Sequence, residues 1–201
     1  LRNYRLALAA TWEYANRYGS GQTAATLATL NTWVNSANAI LERDLAIHLN
    51  LIANETAIIF GTERGFTSTT DPYTNDNVST MMGENRSTLN SAIGSANFDI
   101  GHVLGHISDN SASGVAFVGV VCNSTGSPGP IKGGGATQIG GTPGVTFAVG
   151  VWTHEIGHQF GAGHSFNGTG GNCGGQRSTT SSWEPGSGST MMAYPQICGT
   201  D

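Results

Sequence analysis

The chain has 201 residues, enough to bury a core of its own, and carries a formal net charge of −5 from 8 basic and 13 acidic residues. Its one lysine, Lys132, and scarce arginines leave no basic footprint for nucleic acid, and no apolar run approaches the roughly 18 residues of a membrane span. Charged residues make up 10%, against about a quarter in ordinary soluble domains, so solubility rests on Ser, Thr, Asn and 30 glycines, while 38% hydrophobic residues exclude a disordered tail.

The opening LRNYRLALAA is too short for the apolar core of a signal peptide and reads as a strand of a mature or trimmed protein. From Tyr4 to Thr11, Tyr4, Leu6, Leu8 and Ala10 alternate, the period of a strand. Leu27, Leu30, Val34, Ala37, Leu41 and Leu45 then step by three and four, the apolar stripe of a helix. Ile47, Leu49 and Leu51 return to period two. After the turn-rich TSTTDPYTNDN, Val78, Met82, Leu89 and Ile93 mark a looser helix, and a strand follows around Phe98–Leu104. Val115–Val121 is nearly continuous in β-formers and predicts a well-buried strand. Gly126–Gly144 reads as loop with one short strand near Ile131. Strand, helix, strand, helix, strand describes an α/β layer with parallel pairs.

A third helix is predicted over Val145–Phe160. Val145, Val149, Trp152, Ile156 and Phe160 occupy a stripe about 80° wide at ~100° per residue, and His154 and His158 sit roughly 160° from its centre, with Glu155 beside them. One face can bury while the other turns imidazoles toward a cleft. Two histidines at i and i+4 are spaced to ligate one zinc ion, and Gly161 supplies the turn that brings round a third, His164. Three protein ligands leave a position open for water, which Glu155 can reach as general base.

His154–His164 resembles the metzincin signature HExxHxxGxxH at all five fixed positions. Ser189-Thr190-Met191-Met192-Ala193-Tyr194 is similar to the Met-turn of those proteases, with Met192 as its methionine by the M-x-Y spacing. Gly114–Cys122 looks like the edge-strand region of the adamalysin (reprolysin) branch, and a bacterial-type relative of that branch is the nearest description. The resemblance implies a zincin-like α/β (α+β) fold: a twisted, mostly parallel five-stranded sheet with an antiparallel edge strand, an active-site helix and an irregular segment carrying the Met-turn. It implies one catalytic domain over residues 1–201, divided into subdomains 1–161 and 162–201. Three departures stand out. Ser165 follows the third histidine where adamalysins usually have aspartate, Tyr194 is a feature of astacins and serralysins, and Arg5 stands where an adamalysin calcium site would want glutamate. Asp99 resembles an acidic calcium ligand, but with Arg5 in that place a Ca2+ ion is not carried over.

The resemblance further implies a secreted, monomeric zinc endopeptidase that binds an extended protein or peptide substrate along Val115, Ala116, Phe117, Val118 and Gly119. Tyr194 is open between a fifth metal ligand, a donor to the oxyanion and a packed tyrosine. Three cysteines cannot all pair within one chain. The resemblance favours Cys173–Cys198 with Cys122 free, and Cys122–Cys198 is the alternative. His102 and His106, also at i and i+4, read as surface or loop-facing histidines without a third ligand, and Asp71, Asp76, Asp99 and Asp109 as isolated solvated acids. Two other functions fit the motif: a non-catalytic zinc-containing binding module on a protease fold, and a zinc amidohydrolase with a non-protein substrate.

Overall fold

The computed structural model describes residues 1–109, 112–140 and 145–199, with backbone alone at 145–148. In chain order the elements are β1 (Arg2–Ala10), α1 (Trp12–Gly19), α2 (Thr23–Leu45), β2 (Ile47–Leu51), α3 (Val78–Ala92), β3 (Ile100–Ile107), β4 (Ala112–Ala116), β5 (Gly135–Gly140) and α4 (Val145–Gln159). The strands form one sheet in the order β2-β1-β3-β5-β4. Every pairing is parallel except β4 with β5, which places an antiparallel strand at one edge. The expected mostly parallel five-stranded sheet is therefore the fold of this chain.

Both faces of the sheet are covered. Leu6, Leu8 and Ala10 of β1 point with Ile100 and Leu104 of β3 into a core shared with Leu30, Trp33, Val34 and Leu41 of α2 and Trp152 and Ile156 of α4. Ala7, Ala9 and Val103 point the other way, against Met81 and Leu89 of α3 and Phe60, Tyr73 and Phe98. Alternation thus survives in direction while every residue from Leu6 to Ala10 is buried, as expected of a parallel strand sandwiched between layers. Trp152 and Ile156 are fully buried, each side chain stabilising the fold by about 1.5–3 kcal/mol. Val145, the first residue of the predicted stripe, lies outside the described side chains, as do residues 141–144 of the predicted loop. No described helix is long and apolar enough to cross a membrane.

Several expectations need correction. Helix α1 was not expected; it is two turns long, and Thr11 caps it by accepting from the Tyr14 amide at 3.2 Å. Leu45, at the end of the predicted α2 stripe, is 57% exposed because the helix stops there. The short strand near Ile131 is a 3₁₀ turn (Ile131–Gly133), and the strand follows as β5. The predicted buried strand Val115–Val121 begins earlier, ends at Ala116 and is only half-buried throughout, because it is the sheet edge. Beyond it, Phe117, Val118 and Gly119 leave the strand. The Gly119 and Val120 amides donate to the carbonyls of His158 and Gln159, satisfying acceptors that the end of α4 leaves without intrahelical partners.

His102 is not on the surface. It is fully buried in β3, where its Nδ1 meets Gln159 Oε1 at 3.0 Å and its Nε2 meets Thr137 Oγ1 at 2.9 Å. Burial pushes its pKa down to about 4, so the ring is neutral, donating to the glutamine and accepting from the threonine. His106 is half-buried, with Nδ1 donating to the Ile139 carbonyl at 2.8 Å. Asp71 is also not an isolated solvated acid. It accepts from the Trp12 amide at 2.9 Å, and burial raises its pKa to about 6. Asp99 is held in a fork by Arg5, with Nη2 at 2.7 Å and Nε at 3.1 Å. The guanidinium draws the Asp99 carboxyl below its ordinary pKa.

While β3 pairs with the upper part of β1 on one side, on the β2 side a side chain takes the place of a strand. Past the last β1–β2 partners, Glu55 Oε1 accepts from the Leu8 amide at 2.9 Å, although Glu55 is 2% exposed. Burial raises the Glu55 carboxyl well above its ordinary value. Glu55→Ala should lower unfolding free energy by about 1–3 kcal/mol by leaving a buried amide without a partner, measured by urea denaturation. With its folded pKa above its unfolded one, the Glu55 contribution weakens as pH rises past the ordinary carboxylate range. Glu55→Gln should remove that part of the pH slope, and an unchanged slope would refute the burial argument.

Candidate metal centre and active-site cleft

His154 and His158 lie one turn apart on α4, 6% and 9% exposed. The helix ends at Gln159, and Gly161 takes φ +106°, a torsion that strains other residues, turning the chain toward His164. The three rings each bring a nitrogen within 4.8 Å of the others.

Each ring is fixed through its Nδ1. His154 Nδ1 donates to the Met191 carbonyl at 2.8 Å, His158 Nδ1 to the Ala162 carbonyl at 2.8 Å, and His164 Nδ1 to the Gln176 carbonyl at 2.5 Å. With the proton committed to Nδ1, each Nε2 carries a lone pair. Nε2 of His158 and of His164 stand 3.1 Å apart, and Nε2 of His154 is buried with no partner among the described residues. Lone pairs facing one another and an orphaned buried acceptor are what a shared cation resolves. Two zinc–nitrogen bonds of about 2.0–2.1 Å at a tetrahedral angle would separate their nitrogens by about 3.3 Å, so the donor set fits zinc. Burial, with His158 close by, lowers the His154 pKa to about 4, and burial lowers that of His158, so both rings are neutral ligand donors at neutral pH.

Glu155, next to the first histidine, is 6% exposed, and burial raises its pKa to about 8. Its side chain lies against β4. A Cβ built on Gly114 would come within 2.4 Å of Glu155 Cγ and 2.6 Å of Oε1, so only glycine leaves the carboxylate this space. Met192 packs under the helix, its sulfur filling the room beside Gly157, between the two ligand turns. Tyr194 is half-buried, its ring 4.8 Å from that of His164 and 4.7 Å from that of Phe166. Burial and the nearby Glu155 raise its phenol pKa, keeping it protonated.

Of the anticipated edge residues, Val115 and Ala116 belong to β4, whereas Phe117, Val118 and Gly119 follow it, and Val118 is 61% exposed. Cys173 and Cys198 are joined, and with Phe166 and Tyr194 they form a small core of their own, while Cys122 is free and exposed. Sequence reasoning missed Gly114, the three carbonyl acceptors and Glu184, which binds Ser189 and Thr190 just before the Met-turn. Carbonyls leave no trace in residue identity. Glu184 did leave one, being the only acidic residue between Glu155 and Asp201.

A family model described as metallo-peptidase family M12B, reprolysin-like, matches residues 1–199. No curated protein matches the chain. The histidine geometry predicts one zinc ion bound per chain by elemental analysis, and loss of most of that binding in His164→Ala. Full zinc content in that variant would contradict the three-ligand geometry.

Proposed function

Because the chain belongs to the reprolysin-like M12B metallopeptidases, we propose that it is a secreted zinc endopeptidase in which His154, His158 and His164 hold the metal and Glu155 is the general base. The observation that carries this reading is the convergence of three Nε2 atoms, each fixed from behind by a backbone carbonyl, beside a carboxylate walled in by Gly114.

Bound zinc supplies a Lewis acid that polarises the scissile carbonyl and acidifies water. Glu155 takes the proton of the attacking water and returns it to the leaving amine nitrogen. Burial alone favours the protonated acid at neutral pH; a bound dication would favour the carboxylate, the form that can accept the proton. Tyr194 donates its phenolic proton in a hydrogen bond to the oxyanion that forms at the carbonyl oxygen. Met192 supports the helix between the ligands.

The substrate lies extended along the free edge of β4, pairing its backbone with Ala112–Ala116, Val115 and Ala116 included, while Phe117–Gly119 form the rim at the end of α4. An edge strand paired on one side only supports a peptide over a small amide. The Cys173–Cys198 disulfide supports a site of action outside the cytosol. The reading keeps one catalytic domain divided into 1–161, with the sheet and α4, and 162–201, with the disulfide-bonded segment.

Glu155→Gln should keep zinc and fold yet lose nearly all cleavage of a quenched peptide library, with product masses identifying the bond broken. Substantial turnover with metal bound would remove Glu155 from the chemistry. Gly114→Ala should lower kcat with little change in zinc content, since the added methyl displaces Glu155 alone. Tyr194→Phe should lower turnover by roughly one or two orders of magnitude; an unchanged kcat would make it a packing residue. Chelation should abolish activity and zinc restore it.

A further inference from the structure

Between α4 and Cys198 the chain has almost no regular structure, yet the Met191 carbonyl must stay within 2.8 Å of His154 Nδ1. One side chain gathers the segment that carries it. Glu184 Oε2 accepts from the Ser189 amide at 2.6 Å and the Thr190 amide at 3.1 Å, while Oε1 accepts from the Thr190 hydroxyl. The Thr190 hydroxyl also meets Ser165 Oγ at 3.2 Å. Through its backbone, Glu184 reaches the other end of the site. Its amide donates to the Ser165 carbonyl at 2.8 Å, and it bridges with Phe166 in a parallel pair. The Ser165 amide in turn donates to the Met192 carbonyl at 3.0 Å. Ser165, after the third histidine, and Ser189 and Thr190, ahead of Met191, are therefore tied to one residue, the last two through its carboxylate.

We infer that Glu184 is a positioning residue of the metal centre, holding the Met-turn so that the Met191 carbonyl orients His154 and keeping Ser165 in register so that His164 faces the same point. No other carboxylate in the segment can take its place, since Glu184 is the only acidic residue between Glu155 and Asp201. A glutamine is a weaker substitute. Its carbonyl could still accept from the Ser189 and Thr190 amides, but its NH2 would reverse the Thr190 hydroxyl contact, and the loss of the negative charge would weaken every bond the carboxylate now accepts. Groups behind metal ligands commonly control affinity by about 10–100-fold, and Glu184 acts on two of the three ligands.

The inference rests on the three-histidine metal reading, and its test is read on metal binding rather than catalysis. Zinc affinity is measured by competition with a chromophoric chelator in the parent chain and Glu184→Gln, alongside the visible spectrum of the cobalt(II)-substituted proteins and urea unfolding of the metal-free forms. The expected result is a loss of about 10–100-fold in zinc affinity and an altered cobalt spectrum, with unfolding of the metal-free protein unchanged. Zinc affinity within twofold of the parent and an identical cobalt spectrum would overturn the inference. So would a fall in metal-free stability that matches the fall in affinity, which would make Glu184 a structural residue only. If Glu184→Gln does not fold, Thr190→Val removes one donor while keeping its volume. A loss of several-fold in zinc affinity there supports the inference, and an unchanged affinity overturns it. A parent chain that fails to bind zinc overturns this inference together with the metal reading. A parent that binds zinc but cleaves nothing sinks the proposed activity alone.

Discussion

Three hydrogen bonds from imidazole Nδ1 to backbone carbonyls decide what the histidines of this chain can do, because each fixes a tautomer and an aim at once. The three acceptors come from places far apart in sequence: Ala162 in the turn after α4, Gln176 in the long loop, and Met191 in the segment before Tyr194. A site so assembled needs the irregular last quarter of the chain to be as well placed as the helix. The small core around Phe166, Cys173 and Cys198, the disulfide and the Glu184 carboxylate are the devices that place it.

The helix is anchored from the opposite side. Trp152 and Ile156 bury against α2 and the sheet, and Gln159, the residue after the second histidine, is bound to buried His102 and the Gly101 carbonyl of the central strand. The chain after β4 then closes over the end of α4 with three amides, those of Gly119, Val120 and Val121. Small residues make these approaches close. Gly135 of β5 leaves room for His102 and Gln159, and Gly114 of β4 for Glu155. The glycine-rich composition is thus partly a record of side chains from α4 resting on backbone.

How much of this was legible depended on whether a residue's neighbours lie close in sequence. The stripe of α2, the alternation of β2 and the spacing of His154, His158 and His164 are local patterns, and they read directly. The mostly parallel five-stranded sheet with its antiparallel edge strand agreed with the resemblance. Strand β5, GATQIG, lacks a hydrophobic signature because it is buried by its small size, and α1 is too short and polar to show a stripe. His102 looked like a surface residue because its partners, Thr137 and Gln159, are 35 and 57 residues away. Glu55 and Asp71 were opaque for the same reason, as their burial is settled by strand β1 and helix α1 folding over them. Val115–Val121 misled because β-formers in a row imply a central strand, whereas here the sheet ends at β4 and the run turns away to close a helix.

Among the described residues, strand β4 leaves one row of amides and carbonyls without a sheet neighbour. An open row of that kind recruits any extended chain, including a second copy of the same molecule, so readiness to receive a peptide and readiness to aggregate are one property. The sequence ASGVA tempers it: five residues with a glycine at the centre give a short template of weak β-propensity. Lengthening this segment, or replacing Ala112 or Ser113 with branched residues while keeping Gly114, would sharpen its grip on a passing chain and bring the molecule nearer to precipitating with itself.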